Sequence, residues 1–551
     1  MKYSMLAEYY EKLYSTSKRL EKTDILAELL KKTNKKLLTK IILLVQGRVF
    51  PIWDSRVLGI SDKLVLKVMA SSSGRESKEI ITLWRGIGDL GEVAEKIFTE
   101  KKQVTLFSKK LTVETVFSNL EKLSSIEGLS STDKKLGLIS ELLSDSTGIE
   151  AKYIIRTVLG DLRVGVGEGT LRDAIVQTFL TKTKENTDLV QRAYDFTSDF
   201  SKVVEQVISG KKAKIELFTP LKVMLAIKAK DVEAAFKTLN GKAMIEHKFD
   251  GFRIQAHKKG NNVQIFTRRL DNVNKQFPEL IQAIKKVKGN FIIDGEAVGY
   301  DPKTKKHLPF QKISQRIKRK FDIELIAKKL PIELNVFDIL YLNGKSLIDK
   351  PFKERRKLIE KIIPKKPGEI QVSTGIITDS VTKAKKFYED ALKEGFEGAM
   401  AKDLEAPYKP GARVGHMLKL KSIMETLDLV IVGGEWGKGK RSGWITSYTL
   451  ACKAGSLFKE IGKVGTGVKE KSEGLTFEEL TNLIKPLVQE ENGREVKIKP
   501  KIIIEVAYEE IQKSPSYSSG YALRFPRILR LRTDKKDVSS IELVRDLYSS
   551  Q

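Results

Sequence analysis

The 551-residue sequence predicts a multidomain chain: an all-α N-terminal region, an α+β middle region and a small C-terminal β-barrel. Three observations carry that reading. Apolar residues recur at helical spacing up to about residue 210. The pattern then changes to alternation interrupted by turn residues. Beyond Asp428-Leu429-Val430-Ile431-Val432-Gly433, a loop rich in glycine and lysine runs to Gly443 and short apolar strands follow. A chain of this length holds about three domains of ordinary size.

In the first region Leu6, Tyr9, Tyr10 and Leu13 share a helix face, as do Leu26, Leu29 and Leu30, and later Leu37, Leu38, Ile41 and Ile42. Gly47-Arg48-Val49-Phe50-Pro51 breaks the pattern. The segment Thr147 to Thr170 interleaves helix starts with glycines and basic residues. Exposed N–H groups at helix N-termini, assisted by Lys152, Arg156 and Arg163, would suit phosphate contacts. Helix capping and tight packing within an all-α region is the competing reading.

In the middle region Ala243-Met244-Ile245 reads as a buried strand leading to Lys248. Phe252, Ile254 and Ala256 alternate with Arg253, Gln255 and His257, and Gly260-Asn261-Asn262 turns the chain into Val263, Ile265 and Thr267. Helical stretches follow at Phe352 to Ile363 and Thr382 to Glu394. A linker falls near Lys421 to Glu425. The last region carries strands at Trp444 to Lys453, Ile502 to Tyr508 and Ile528 to Arg532, consistent with a small barrel. Strand alternation places Arg530 and Arg532 on one face and Leu529 and Leu531 on the other, giving a basic edge on a buried strand. A solvated basic face is the alternative.

Lys+Arg 100 against Asp+Glu 71 gives a formal charge of +29, which favours a polyanionic partner. The single cysteine, Cys452, excludes internal disulfides and a structural zinc cluster of cysteines. His247, His257, His307 and His416 lie far apart in sequence and suggest no metal site. No apolar run reaches the roughly 18 residues of a membrane span, and Met1-Lys2-Tyr3-Ser4 opens no signal-peptide core. The expectation is a cytoplasmic protein without a membrane partner.

The most informative segment is Glu246-His247-Lys248-Phe249-Asp250-Gly251-Phe252-Arg253. A free lysine titrates near about 10.4, so about one in a few thousand is a neutral amine at pH 7. Neighbouring cations and partial burial would activate Lys248 as a nucleophile. A surface lysine beside a type I′ hairpin turn at Asp250-Gly251 is the other reading.

Lys248-Phe249-Asp250-Gly251 matches the Lys-x-Asp-Gly motif of the covalent nucleotidyltransferases. Five further motifs of that superfamily follow in order. They are Phe266-Thr267-Arg268-Arg269 with Ile293-Asp294-Gly295-Glu296; Asn335-Val336-Phe337-Asp338-Ile339-Leu340; Glu397-Gly398-Ala399-Met400-Ala401-Lys402; Leu418-Lys419-Leu420-Lys421; and Arg524-Phe525-Pro526-Arg527 through Arg532-Thr533-Asp534-Lys535. Across its length the sequence resembles the archaeal and eukaryotic replicative type of ATP-dependent DNA ligase. One departure is His416-Met417-Leu418, where many relatives place an aromatic before the leucine and a methionine can fill the space.

The resemblance implies a helical DNA-binding domain over 1–212, an α+β adenylation domain over 213–423 and an OB-fold domain over 424–551. It implies ATP and Mg2+ as cofactors and nicked duplex DNA as partner, with a monomeric enzyme acting in replication, repair and recombination. Lys248 would be the nucleophile that carries AMP, and Asp250 would hold Lys248 or a sugar–phosphate contact. Glu246 would lie within reach of the base and Phe337 would stack on adenine. Arg253, Arg268 and Arg413 would bind ribose and phosphate oxygens. Glu296 would take the ribose hydroxyls or a metal, with Glu397 the stronger metal ligand. Lys402, Lys419 and Lys421 would neutralise phosphates, and Arg530 and Arg532 would close over ATP and then bind DNA. A capping-type nucleotidyltransferase or an RNA ligase shares the core motifs, but neither accounts for the long helical region. Gln103-Val104-Thr105-Leu106-Phe107 resembles a shortened sliding-clamp-binding motif, although a plain strand or loop fits it as well.

Overall fold

The computed structural model describes the chain apart from residues 101–109, 129, 302, 305, 309, 318, 320, 422–425, 438–440, 442, 471–473, 536, 550 and 551. The clamp-like segment Gln103–Phe107 and all but Lys421 of the expected linker lie outside the described residues. The chain divides into two compact units, Met1–Lys421 and Ser422–Gln551.

The first unit begins with helices from Tyr3–Ser15 to Phe200–Ser209. The apolar positions read from periodicity form their common core, with Leu6, Tyr10, Leu13, Leu26, Leu29 and Ile41 all fully buried. Helix Gly148–Val158 shows how sequence sets an element here. Thr147 caps it in a capping box with Glu150. It packs on every side, so all its residues but Ile149 are buried. This corrects the expectation for two of the basic residues on this segment. Lys152 (4% exposed) bonds Glu11 at 2.7 Å and Glu95 at 2.9 Å, while Arg156 (2% exposed) bonds Asp89 at 2.9 Å. Buried cations must be paired, and these two brace helices to one another instead of facing a phosphate. Arg163 alone remains half exposed, on Asp89 and Asp161.

From Leu225 the chain builds two sheets. The strands are β1 (Leu225–Lys228), β2 (Ala243–Lys248), β3 (Phe252–Lys259), β4 (Asn262–Thr267), β5 (Phe291–Tyr300), β6 (His307–Leu308), β7 (Ile332–Leu342), β8 (Lys345–Ser346), β9 (Ile370–Val372), β10 (Gly375–Thr378), β11 (Gly398–Asp403) and β12 (Arg413–Lys421). One sheet has the order β1-β12-β11-β2-β10. The other runs β4-β3-β5-β7-β8, with β6 on β5 and β9 on β7. Ala243 and Ile245 of β2, Ala399 and Ala401 of β11 and Leu418 and Leu420 of β12 pack with Ala235 and Ala384 of helices Val232–Thr238 and Val381–Lys393. Because side chains alternate, Glu246 and Lys248 emerge on the opposite face.

β3 departs from the expected half-exposed alternation, for Gln255 and His257 are as buried as Ile254. The preceding connection covers them: the Leu221 N–H donates to Gln255 Oε1 at 2.8 Å and the Phe218 N–H to His257 Nδ1 at 2.9 Å.

The second unit is rich in antiparallel sheet. Its strands are β13 (Leu427–Trp436), β14 (Ile445–Ala454), β15 (Leu457–Val464), β16 (Val488–Asn492), β17 (Glu495–Ile498), β18 (Ile503–Ala507), β19 (Glu510–Lys513), β20 (Tyr521–Arg524) and β21 (Arg527–Leu531). Helices Phe477–Ile484 and Ile541–Ser549, not anticipated from the sequence, pack into its core. Cys452 is fully buried on β14, and burial pushes its thiol up to about 11. On β21 the pairing with β18 shifts register between Glu505 and Val506, so Leu529 has no partner and is 50% exposed. This bulge overturns the expected burial of Leu529 beside Leu531.

Candidate active site

Register fixes which side chains meet. On β11, Gly398 lies opposite Lys248 and Met400 opposite Glu246. On β12, Lys421 lies opposite Gly398 and Lys419 opposite Met400. Glu246, Lys248, Lys402, Lys419 and Lys421 therefore share one face. The facing sheet contributes Arg253 and Glu296, paired directly across β3 and β5. The pairing of β5 with β7 shifts register between Asp294 and Gly295, leaving Phe337 as the bulged residue between Val336 and Asp338. The bulge turns its ring out of the core, half exposed, with Lys402 Nζ 4.7 Å and the Arg253 guanidinium 5.3 Å from the ring centre.

Lys248 reaches Glu397, and the Glu397 N–H donates to the Lys248 carbonyl at 2.9 Å. Lys421 pairs with the other oxygen of the same carboxylate. Burial alone would raise the Glu397 carboxyl, but the two ammonium groups hold it below the ordinary range. Glu296 differs. Burial pushes its carboxyl up to about 7, with Glu397 and Asp294 adding to the rise against Lys248 and Arg253. The two carboxylates thus part company, Glu397 held ionised by its two ammonium partners and Glu296 raised chiefly by burial. Among the described residues no group of three or more His, Cys, Asp or Glu stands ready to hold a metal. Glu296 and Glu397 fit an ion bound by one or two carboxylates and completed by water and phosphate oxygens, the habit of magnesium.

The Asp250-Gly251 step is not a hairpin turn, for neither residue has the positive φ that a type I′ turn requires. Gly251 is there for proximity: a Cβ would lie 2.4 Å from the Ala297 carbonyl oxygen and 3.0 Å from Glu296 Cγ. Asp250 accepts from the Phe310 N–H at 3.0 Å.

Several expected nucleotide contacts are engaged internally. Arg253 donates to Asp294 at 2.8 and 2.5 Å, to the Met224 carbonyl at 2.6 Å and to the Tyr408 hydroxyl at 3.2 Å. Lys402 is buried and donates to Glu246 Oε2 at 2.6 Å. Glu246, 1% exposed, receives Arg356 on Oε1 at 2.8 Å. Arg268 is exposed beyond β4, Arg413 is exposed at the start of β12 with Nη1 3.3 Å from the Ala226 carbonyl, and Lys419 is half-buried. Met417 is buried against Leu221 and Tyr408, filling the space as expected. In the second unit Arg530 and Arg532 converge on Glu505, at 2.6 and 3.6 Å.

Sequence reading missed Asp294, Tyr408 and Arg356. Only Asp294 lies inside a quoted motif. His247 and His307, distant in sequence, both line one cavity of about 450 Å3, each ring against Phe396.

A strand-borne lysine facing carboxylates, an arginine and an aromatic ring between two sheets is the arrangement expected of a covalent nucleotidyltransferase. The comparisons with known proteins narrow this. Residues 2–176 match the model described as DNA ligase N terminus, 223–421 the ATP dependent DNA ligase domain, and 441–535 the ATP dependent DNA ligase C terminal region. A DNA ligase of Nanoarchaeum equitans is 48% identical, covering 100% of this chain and 99% of its own. DNA ligases of Methanopyrus kandleri and Archaeoglobus fulgidus are each 41% identical over 100% of this chain and 99% of theirs. A solved structure named Pmar-Lig_PreS3 shares the fold at 18% identity, with a TM-score of 0.58 over 96% of this chain and 99% of its own. The chain belongs to the ATP-dependent DNA ligase family.

Proposed function

We propose that this DNA ligase seals nicks in duplex DNA through an AMP carried on Lys248. The observation that supports the reading is the position of Lys248: on the active face of β2, paired with Glu397 and near enough to Glu296 to act on its charge.

In the first step the Lys248 ammonium loses its proton and the amine attacks the α-phosphorus of ATP. The N–P bond forms, the bond to the bridging oxygen breaks and pyrophosphate leaves. AMP then passes to the 5′-phosphate of the nick, restoring the amine. Last, the 3′-hydroxyl attacks that phosphate, and AMP departs as the phosphodiester forms. Each step moves a phosphoryl group, so placement and charge neutralisation supply most of the rate.

Phe337 stacks on adenine, displacing the ammonium of Lys402 from its ring, and Glu246 reads the base edge. Glu296 and Glu397 hold magnesium, which supplies positive charge to the phosphates when bound. Lys402, released from Glu246, joins Lys419 and Lys421 at the phosphates. Arg268 and Arg413, both exposed, take ribose and phosphate oxygens. Arg253 acts from its Asp294 bond, and Asp250 holds the loop after Lys248 through Phe310. Residues 1–212 bind the duplex, 213–423 carry adenylation, and 424–551 form an OB-fold whose Arg530 and Arg532 close over ATP and then engage DNA. The enzyme works as a cytoplasmic monomer that a sliding clamp recruits through Gln103–Phe107. No helix among the described residues is long and apolar enough to cross a membrane.

The test is incubation with α-labelled ATP and magnesium, followed by denaturing electrophoresis and then by sealing of a nicked duplex. Label on the parent protein and nick closure support the reading. Label without nick closure favours an RNA ligase or a capping-type nucleotidyltransferase instead.

A further inference from the structure

The carboxylate of Glu246 is buried with each oxygen on a different cation, and those cations differ in how firmly they are held. Lys402 reaches Oε2 with the end of a flexible chain, and its ammonium lies over the rings of Phe337 and Phe352, at 4.7 and 4.8 Å. Arg356 sits on helix Phe352–Ile362, itself buried, and is fixed on three sides. Nη1 donates to Glu246 Oε1 at 2.8 Å, Nη2 to the Ser373 carbonyl at 2.7 Å, and Nε to Glu360 at 2.6 Å. Its planar fork sets the orientation of the carboxylate more rigidly than a lysine would.

A base that stacks on the Phe337 face now covered by Lys402 removes that ammonium from its place. Oε2 is then left buried and without a donor, which is costly unless the base edge supplies one. A carboxylate oxygen accepts only, so it selects an amino group and rejects a carbonyl oxygen at the same position. Arg356 gives its donors to Glu246, Ser373 and Glu360, and through Glu246 it decides where Oε2 points.

We infer that Arg356 is a positioning residue for nucleobase selection: it locks Glu246 through Oε1, so that Oε2 passes from Lys402 to the exocyclic amine of the purine. This rests on the reading of Glu246 as the base-contacting carboxylate. It assigns the selectivity of that contact to a residue of helix Phe352–Ile362.

The experiment measures the rate of Lys248 adenylylation in the full-length protein with ATP and with purine riboside triphosphate, which lacks the 6-amino group. Parent, Arg356→Gln, Arg356→Lys and Glu246→Ala are compared, and the readout is the ratio of kcat/KM for the two nucleotides. The parent should prefer ATP by about tenfold or more, the range of one buried hydrogen bond. In Arg356→Gln the ratio should fall toward one, with KM for ATP rising about tenfold and kcat changing little. Arg356→Lys, which keeps a charge and a donor, should recover part of the preference and remain folded if the glutamine variant does not. Equal loss with both nucleotides and an unchanged ratio in the Arg356 variants would mean a purely structural role and overturn the inference. A ratio near one in the parent, or a parent-like ratio in Glu246→Ala, would instead overturn the reading of Glu246 on which it rests.

Discussion

Two carboxylates, one in each unit, are shared by a pair of cations, and their settings differ. Glu397 binds Lys248 and Lys421 with all three side chains between 16 and 25% exposed. Glu505 binds Arg530, which is 63% exposed, and Arg532, which also holds Asp428 and Asp534 at 2.9 Å each. The first cluster is shielded from water and salt, so its geometry is set before substrate arrives. The second keeps one member in solvent, where an ion pair contributes at most about 1 kcal/mol and is readily exchanged. Arg530 can therefore trade its carboxylate for a DNA phosphate at little cost, whereas Lys248 stays aligned until a nucleotide takes over. A fixed cluster suits bond-making, and an exchangeable one suits capture of the substrate.

The largest effect should come from breaking the fixed cluster at its nucleophile. Lys248→Arg keeps the charge on Glu397 but removes the amine, so labelling by α-labelled ATP should vanish while Tm stays within a few degrees of the parent. Any label on that variant places the nucleophile elsewhere. Next, Glu397→Ala should slow adenylylation by about a hundredfold or more, the range for removing one electrostatic partner from an active site. A melting temperature far below the parent's would make Glu397 a folding residue first.

A smaller and graded effect concerns pH. The Glu296 carboxyl is raised from its ordinary 4.5 to about 7, so below pH 7 magnesium must displace a proton. The magnesium concentration for half-maximal adenylylation should rise by up to about tenfold per unit as pH falls below 7. Glu296→Gln should flatten that dependence. The sign for stability follows from the same shift: between 4.5 and about 7 the folded state binds more protons than the unfolded, so this group's contribution declines as pH rises through that window. The smallest effect belongs to the exchangeable cluster. Arg530→Gln should weaken nick binding a few-fold, reduce the salt slope by about one and leave Tm unchanged. An unaltered salt slope would remove Arg530 from the DNA contact.

How much of this was legible beforehand depends on where the partners lie in the chain. Lys248, Glu296 and Glu397 sit in ordered motifs, and strand periodicity alone puts Glu246 and Lys248 on one face. The buried helices followed from Leu6, Tyr10 and their spaced neighbours, because a 3.6-residue period is a local property. Arg356 was unreadable as a partner of Glu246, since 110 positions separate them and only the pairing of sheet and helix brings them together. Lys152 and Arg156 were read as facing a phosphate for the same reason: Glu11, Glu95 and Asp89, which hold them, come from other helices. The bulges at Phe337 and Leu529 were equally hidden, because a register shift belongs to two strands and is written in neither.

The lone thiol of Cys452 has a use in the laboratory. The chain holds a single cysteine, buried on β14, its thiol raised to about 11, so the folded protein presents no reactive sulfur to a maleimide dye. A cysteine introduced at an exposed position, Arg530 for example, would be the only site that couples, with no need to rebuild the core around a replaced native residue. Pairs of such labels, one in each unit, would let fluorescence follow the distance between nucleotide site and basic edge while a single nick is sealed.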